Sequence, residues 1–291
     1  MTEWLTAEQV EHIQWAVQRN RPVGSFVNGL RHATLPALLE YGCLRAHVGA
    51  DAIPPMPAAI LGSPLGQALD CVPSPLGTRN GFSYTAKPAR LDTQAVEFFS
   101  ISTEDEMERD SPDSPPKPWE LYAIRFSRSA QAAGFSPTVA NGLMAALYEM
   151  TRNALEHAES PCPALVGYQA ENDMALFCVV DMGRGVLASL RSCRDYSRLK
   201  KHDEAIYTAI QEGTSRHGSR QGGLGFRQVF RALADFNGHL RFRTGDACLE
   251  ILGTDCGPNR GEFHGAPTLH GLQVSVCCRT CAPAPNCPPA V

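Results

Sequence analysis

The sequence predicts an α/β fold in which a mixed, mostly antiparallel sheet carries helices on one face, forming a two-layer sandwich. The second half of the chain alternates helix-period segments with apolar runs of strand length, and short polar turns separate most of these runs. Hydrophobic residues make up 43% of the 291 residues, enough for a substantial core. Helices interleaved with hairpin-linked strands are typical of one sheet packed against a helical layer.

The first predicted helix follows Thr6, which is a suitable N-cap with Gln9 three positions later. Val10, Ile13 and Val17 then recur on one helical face. Beyond residue 50 the sequence is interrupted by proline and glycine, and we predict no element there.

A change of composition at residues 103–118 marks the predicted domain boundary. This stretch is acidic and rich in proline, which is typical of a linker or exposed loop. We therefore divide the chain into an N-terminal region of uncertain α+β fold (1–102), the linker, a main domain (119–281) and a flexible C-terminal tail (282–291). The N-terminal region can be a sensor, a dimerisation unit or a partner-binding module.

The main domain contains the clearest elements. A helix is predicted from Ser136 and Pro137, which supply an N-cap and a first-turn proline, to the stop at Ser160. Two further helices are predicted at 203–212 and 224–236. The predicted strands are 120–126, 164–169, 174–181, 239–244, 247–252 and 271–276.

Three polar residues share one face of the helix that starts at Pro137. Glu149, Asn153 and Glu156 are spaced by four and three positions. An amide oxygen is a suitable ligand for Mg²⁺, and a carboxylate can deprotonate an attacking oxygen. A solvated helix face is the alternative interpretation.

Two glycine-containing segments accompany this helix. Asp181 ends an apolar strand and is followed by Gly183 and Gly185, so its carboxylate can accept a hydrogen bond beside a flat ring, although a simple Asx turn explains the pattern too. Gly223, Leu224 and Gly225 open the predicted helix 224–236, where free amides can bind an anion. No GxxxxGK sequence is present, which excludes the usual P-loop.

In this order the three segments resemble the GHKL superfamily of ATPases, which includes gyrase and the histidine kinases. EMTRNALEHA (149–158) is similar to its asparagine box, DMGRGV (181–186) to its first glycine box and GGLGFRQVF (222–230) to its second. The resemblance covers about residues 120–278 and implies a Bergerat-type fold that binds ATP and Mg²⁺. It implies that Glu149 is the general base, Asn153 the Mg²⁺ ligand and Asp181 the acceptor for the adenine amine.

The resemblance also assigns the glycines. Gly183 and Gly185 would border the base, while Gly223, Leu224 and Gly225 would bind the phosphates. One departure concerns a Gly-Thr pair that many members carry before the last strand. The corresponding place here is Gly271-Leu272, and Thr244 and Thr268 are candidate replacements for the threonine.

The segment between the two glycine boxes corresponds to the ATP lid of this family. It has an excess of basic residues, which suits a polyphosphate, although solvated loops explain the charges as well. Arg216 and Arg220 are the best candidates for phosphate contact. Few apolar residues are contiguous over 186–221, so we expect the lid to become ordered when nucleotide binds.

The function we expect is that of an ATP-binding regulatory protein. The sequence around Asn153 is most similar to the anti-sigma-factor serine kinases and their standalone relatives. His32 lacks the surroundings of a phosphoacceptor, so a self-contained histidine kinase is not expected. Two interpretations stay open: an enzyme that hydrolyses ATP or transfers its γ-phosphate to a protein, and an ATP-gated protein-binding switch with little turnover. A protein partner is expected in both, and a homodimer is left open.

The composition of the chain limits the partners and the cellular location that we expect. The net charge of −4 argues against nucleic acid as a partner, and no apolar run of bilayer length or signal peptide is recognised, so we expect no membrane association and a cytoplasmic location. Eleven scattered cysteines fit reduced thiols. The C-terminal group Cys277, Cys278, Cys281 and Cys287 is spaced irregularly for zinc, and we expect Cys277 or Cys278 to point into a core.

Overall fold

The protein is described from a computed structural model. The structure describes residues 3–49, 51–70, 95–109, 111, 113–160, 163–211, 238–252 and 261–280. The helices in this part of the chain are α1 (Ala7–Gln18), α2 (Gly24–Val27), α3 (Leu35–Val48), α4 (Ala58–Leu61), α5 (Pro64–Asp70), α6 (Pro118–Ala132), α7 (Pro137–Ala158), α8 (Gly185–Arg191) and α9 (His202–Ile210). The strands are β1 (Trp4–Leu5), β2 (His32–Ala33), β3 (Val96–Ile101), β4 (Ala164–Glu171), β5 (Met174–Asp181), β6 (His239–Leu252) and β7 (Glu262–Arg279).

The centre of the fold is a five-stranded sheet with the order β3-β4-β5-β7-β6. Every neighbouring pair in it is antiparallel. The predicted strands 239–244 and 247–252 form one continuous strand, β6, whose register against β7 shifts around Gly245. The short strands β1 and β2 pair in parallel outside this sheet. The α/β class and the predominance of antiparallel pairing therefore agree with the expectation. The expected mixed character does not, because the five strands described for this sheet are all paired antiparallel.

One face of the sheet is covered by α6, α7 and α9. In β5 the side chains of Ala175, Phe177 and Val179 point to this face and pack into its core. Helix α7 contributes Leu143, Leu147, Met150 and Ala154, which lie on the side that faces the sheet. This half of the molecule has the two layers that the sequence predicts.

The opposite face of the sheet is covered by the N-terminal region. Leu176, Cys178 and Val180 of β5 alternate with the residues named above and pack into a second core with α1 and α3. Residues of α3 are buried almost all round the helix, including Leu35, Leu38, Leu39 and Leu44. The N-terminal region thus adds a third layer to the sheet, which the sequence analysis did not predict.

Residues 120–126 form part of helix α6, so the predicted strand is wrong. The buried side chains Trp119, Tyr122, Phe126 and Ala130 recur every three or four residues, which is helical spacing. Pro118 occupies the first turn, where a missing amide hydrogen costs no hydrogen bond.

The predicted linker at 103–118 lies between two parts of the same sheet-based unit. Strand β3 precedes it and pairs with β4 along six residues, from Val96↔Gln169 to Ile101↔Ala164. Within the segment, a 3₁₀ turn spans Glu104–Glu106, and Met107 is buried in the first core. A boundary at 102 therefore does not separate the N-terminal region from the sheet in space.

The other predicted elements that lie within the described residues have the expected type. Thr6 caps α1 by accepting a hydrogen bond from the Gln9 amide, and Ser136 caps α7 through the Val139 amide. The helix predicted at 203–212 corresponds to α9, and the predicted helix 224–236 lies outside the described residues. None of the described helices combines the length and the hydropathy needed to cross a membrane.

Candidate functional site

The polar residues of α7 lie on the side of the helix that is turned away from the core. Glu149, Asn153 and Glu156 are all partly exposed, because the sheet-facing positions are taken by apolar residues. The Glu149 carboxylate is not free: Oε2 accepts a hydrogen bond from the Arg152 guanidinium at 3.0 Å. The helix therefore presents a carboxylate, an amide and a cation on neighbouring positions.

Asp181 is the buried polar residue at the end of β5. It is 4% exposed, and its Oδ1 accepts a hydrogen bond of 2.7 Å from the Gly183 amide. Burial raises the pKa of Asp181 to about 7, although backbone hydrogen bonds from Gly183 and Leu272 act in the opposite direction. A carboxyl group with this pKa changes between its neutral and its charged form near neutral pH. Such a pKa is uncommon for an aspartate outside a functional site.

The two glycines that follow Asp181 are required by close contacts. A Cβ on Gly183 would lie 2.3 Å from the carbonyl oxygen of Ala158, the last residue of α7. Gly185 has φ of +75°, and a Cβ there would lie 2.9 Å from the Thr244 hydroxyl. Both positions therefore exclude other residues unless the backbone moves.

The loop after β5 is bound to the C-terminal end of α7. The Arg184 amide donates to the Ala158 carbonyl at 3.0 Å, and its Nε donates to the His157 carbonyl at 3.1 Å. Its guanidinium also forms an ion pair of 2.9 Å with Glu159. The structure thus brings the glycine loop and α7 together. At a rise of 1.5 Å per residue, Asn153 lies about 7.5 Å and Glu149 about 13.5 Å along the helix from Ala158.

Thr244 lies behind the glycine loop. This residue of β6 is 1% exposed, donates a hydrogen bond of 2.7 Å to the Gly271 carbonyl and accepts one of 3.3 Å from the Val186 amide. Gly271 in turn lies against Asp181, since a Cβ on it would be 2.0 Å from the Asp181 carbonyl oxygen. Of the two replacement threonines considered, Thr244 is therefore next to the site, whereas the Thr268 carbonyl is bonded to Gln14 of α1.

Some predicted site residues are not part of what the structure describes. Arg216, Arg220, Gly223, Leu224 and Gly225 all lie outside the described residues, so their roles stay predictions. The structure corrects one part of the predicted lid. Ala205, Ile206 and Ile210 of α9 are buried, and both isoleucines belong to the first core, so α9 is a packed helix rather than a segment with few contacts.

The C-terminal cysteines do not form a shared site within the described residues. Cys277 packs into the second core and Cys278 into the first, because neighbouring residues of a strand point to opposite faces. The two thiols therefore cannot bind one ion together. Cys281 and Cys287 lie outside the described residues.

No protein-family model, curated protein or solved structure matches the chain in comparisons with known proteins. The fold that the structure itself defines is α/β, with a five-stranded antiparallel sheet and helices. Any function for the site at the end of β5 must therefore be argued from its residues and their geometry.

Proposed function

We propose that this chain is a regulatory protein that binds magnesium–ATP between the end of β5 and the outward face of α7. In this proposal it hydrolyses ATP or transfers the γ-phosphate to a hydroxyl of a protein partner, as the resemblance to the GHKL superfamily implies. One observation carries the proposal: Asp181 is a buried carboxyl group at a strand end, next to glycines, and the loop that follows it is hydrogen-bonded through Arg184 to the helix that presents Glu149 and Asn153.

The adenine ring would bind at Asp181. The Gly183 amide occupies one lone pair of Oδ1, and a carboxylate has about four such positions, so acceptor capacity remains for an exocyclic amine. The glycines at 183 and 185 remove side chains from the loop that would border the ring. Thr244 supports this arrangement by bonding to both neighbouring backbone segments.

The phosphates would extend along α7 toward Asn153 and Glu149. The Asn153 amide oxygen is a hard donor that fits Mg²⁺, which when bound neutralises the charge of the phosphates. Glu149 would take the proton from the attacking water or hydroxyl oxygen as that oxygen bonds to the γ-phosphorus and ADP leaves. Arg216 and Arg220 remain the candidates for γ-phosphate contact.

The Glu149–Arg152 ion pair favours a second candidate, an ATP-gated switch with little turnover. At 3.0 Å the Arg152 guanidinium occupies one oxygen of the Glu149 carboxylate, so that oxygen is engaged with Arg152 and not with an attacking hydroxyl. In a switch, ATP would order the segment after α9 and that segment would recruit a protein partner. The free energy that drives this ordering would come from contacts with the third phosphate, which ATP has and ADP lacks.

Calorimetric titration with magnesium–ATP tests nucleotide binding directly. At pH 8, above the pKa of Asp181, Asp181→Asn should weaken binding by about 1–3 kcal/mol, because a carboxylate oxygen that accepts from the adenine amine is replaced by an amide group. Asp173→Asn in the β4–β5 turn is the matched control and should bind like the parent. If the parent binds no ATP, or if Asp181→Asn binds ATP as tightly as the parent, the assignment of this site is wrong.

Amide hydrogen exchange with ATP and ADP separates the enzyme from the switch. Helix α9 should be protected without nucleotide because its isoleucines are in the core. A switch requires residues 211–222 to gain more protection from ATP than from ADP, and the Arg216→Ala/Arg220→Ala double variant should remove that difference. Equal protection by the two nucleotides in the parent would exclude a γ-phosphate switch.

A further inference from the structure

A second cluster of reactive side chains lies on the opposite face of the sheet from α7. Glu11 of α1, Cys248 of β6 and His264 of β7 each place one ligand atom within 4.8 Å of the other two. Cys248 and His264 are direct register partners across the β6–β7 pair, and Glu11 reaches them from the helix above. His264 Nε2 is 3.7 Å from Glu11 Oε1.

We propose that Glu11, Cys248 and His264 bind a divalent transition-metal ion of the zinc class. Thiolate, imidazole and carboxylate are the three protein ligands that zinc uses, with bonds of about 2.0–2.3 Å. An oxygen and a nitrogen atom bound to one tetrahedral ion, with bonds of about 2.0–2.2 Å, are about 3.3–3.5 Å apart. The Glu11 and His264 atoms are 3.7 Å apart, so a small side-chain movement would bring them to that separation. The inference is independent of the proposed nucleotide site.

The charge of the surroundings supports a cation. Glu11, Glu40 and Glu250 face Arg241, and Glu40 also faces Arg243, so the formal charges of these five side chains sum to −1. His239 also faces Glu250, and His264 faces Glu11. Loss of the Cys248 proton to solvent would bring this to −2, which one divalent ion neutralises. Glu11 can serve Arg241 and a metal together, because each carboxylate has two oxygens and about four acceptor positions.

Without a bound metal ion, Cys248 is a protonated, unreactive thiol. Burial raises the pKa of Cys248 to about 12, with Arg241 lowering it and Glu40, Glu11 and Glu250 raising it further. A bound metal ion deprotonates a coordinating thiol outright, so the buried position is compatible with a thiolate–metal bond. A buried cysteine without such a partner behaves as a small hydrophobic residue.

His264 places the cluster beside a surface cleft. Its side chain is 42% exposed and lines a cleft of about 340 Å³, whose charged lining residues are Lys200, Lys201, Asp203 and Asp246. Three protein ligands leave the fourth tetrahedral position for water, as in open zinc sites. Because Glu11 is on α1 and the other two ligands are on the β6–β7 hairpin, the ion would fasten the N-terminal layer to the sheet.

Titration of the metal-free full-length protein with Co²⁺ and with Zn²⁺ tests this site. Co²⁺ should give a thiolate-to-metal charge-transfer absorption at one equivalent, Zn²⁺ should displace it, and the melting temperature should rise with Zn²⁺ concentration. Cys248→Ser and His264→Gln should each weaken metal binding by at least about 10–100-fold. That is the usual loss when a residue that only hydrogen-bonds to a metal ligand is changed, and loss of the ligand itself should cost at least as much.

Matched controls separate this cluster from other thiols and imidazoles. Cys193→Ser and His270→Gln alter a partly exposed cysteine and an exposed histidine elsewhere and should bind Co²⁺ like the parent. His264→Gln is a surface change, so it tests the site even if Cys248→Ser does not fold. The proposal is overturned if the parent binds no stoichiometric metal, or if either His264→Gln or a folded Cys248→Ser retains the parent's affinity and absorption.

Discussion

Glu40 and Arg243 form a buried ion pair of 2.9 Å although they are 203 positions apart in the chain. Glu40 lies on α3 and is 2% exposed at its side chain, while Arg243 lies on β6 and is fully buried. The same carboxylate accepts a hydrogen bond from Arg241, and Arg243 donates also to the side chain of Gln14 at 2.5 Å. This network attaches the N-terminal helices to the half of the sheet where β6 and β7 offer few apolar side chains to them.

We expect Glu40→Ala to be strongly destabilising. Removal of this carboxylate leaves Arg241 and Arg243 buried without a major partner, and breaking such a pair costs about 3–5 kcal/mol. Denaturant unfolding followed by circular dichroism measures the loss. Glu3→Ala, which removes an exposed ion pair of 3.8 Å with Arg31, is the control and should cost less than about 1 kcal/mol. Similar losses in the two variants would contradict a supporting role for the network.

The raised pKa of Asp181 predicts a specific pH dependence of stability. Its folded-state pKa is about 7 against an ordinary value of 3.8, so the native state holds a proton that the unfolded state releases. The contribution of this group is present in full below pH 4 and is lost as pH rises to about 7, at up to about 1.4 kcal/mol per pH unit. Unfolding experiments on the parent and Asp181→Asn between pH 4 and pH 8 should therefore give a stability difference that changes with pH. A constant difference would mean that Asp181 is charged throughout.

Glu149→Gln should separate nucleotide binding from turnover. The substitution keeps the shape of the side chain but removes the proposed base, so under the proposed function the rate of ATP hydrolysis or transfer should fall by about 10²–10⁴ while ATP affinity stays close to that of the parent. Asn153→Ala should instead abolish the dependence of binding on Mg²⁺. Glu171→Gln, at the end of β4, is the control for a lost carboxylate and should leave both properties unchanged. Parent-like turnover in Glu149→Gln would favour the switch.

Gly183→Ala should disturb the contact between the loop after β5 and the end of α7. Its new Cβ would lie 2.3 Å from the Ala158 carbonyl oxygen and 2.5 Å from the Ala158 Cβ, so the loop must move, at a cost of about 1–3 kcal/mol. Gly142→Ala in α7 is a matched control, since no atom lies within 4 Å of its new Cβ, and it should stabilise the protein by about 0.5–1 kcal/mol. Thermal unfolding compares the two. Equal stability of both variants would show that the loop is not fixed against α7.

The sequence predicted those elements whose patterns are local. The N-cap at Ser136, the periodicity of α7 and the polar turn before Met174 lie within a few residues of the elements that they define. The strand predicted at 120–126 failed because its aromatic and apolar residues favour a strand by propensity, while the helical spacing becomes visible only when Trp119 and Ala130 are included.

The sequence of β5 indicates that both faces of the sheet are covered, but it does not identify the segment that forms the third layer. Every residue of Met174–Asp181 is buried, and a strand without polar alternation is typical of a sheet covered on both faces. Nothing local identifies what covers the second face, because Glu11 and Glu40 pair with Arg241, which is more than 200 positions away from each of them. The position of Thr244 behind Gly271 depends in the same way on the pairing of β6 with β7.

The covering of β5 by α3 also determines the order in which the molecule can assemble during synthesis. The apolar side chains of α3, which ends at Val48, pack against Cys178 and Val180, which emerge from the ribosome about 130 residues later. At about 5–20 residues per second this delay is roughly 7–26 s. During that time α3 has no sheet to bury its side chains, and the arginines that pair with Glu40 appear later still. The nascent N-terminal region therefore has apolar side chains of α3 without their packing partners until β5 has been synthesised.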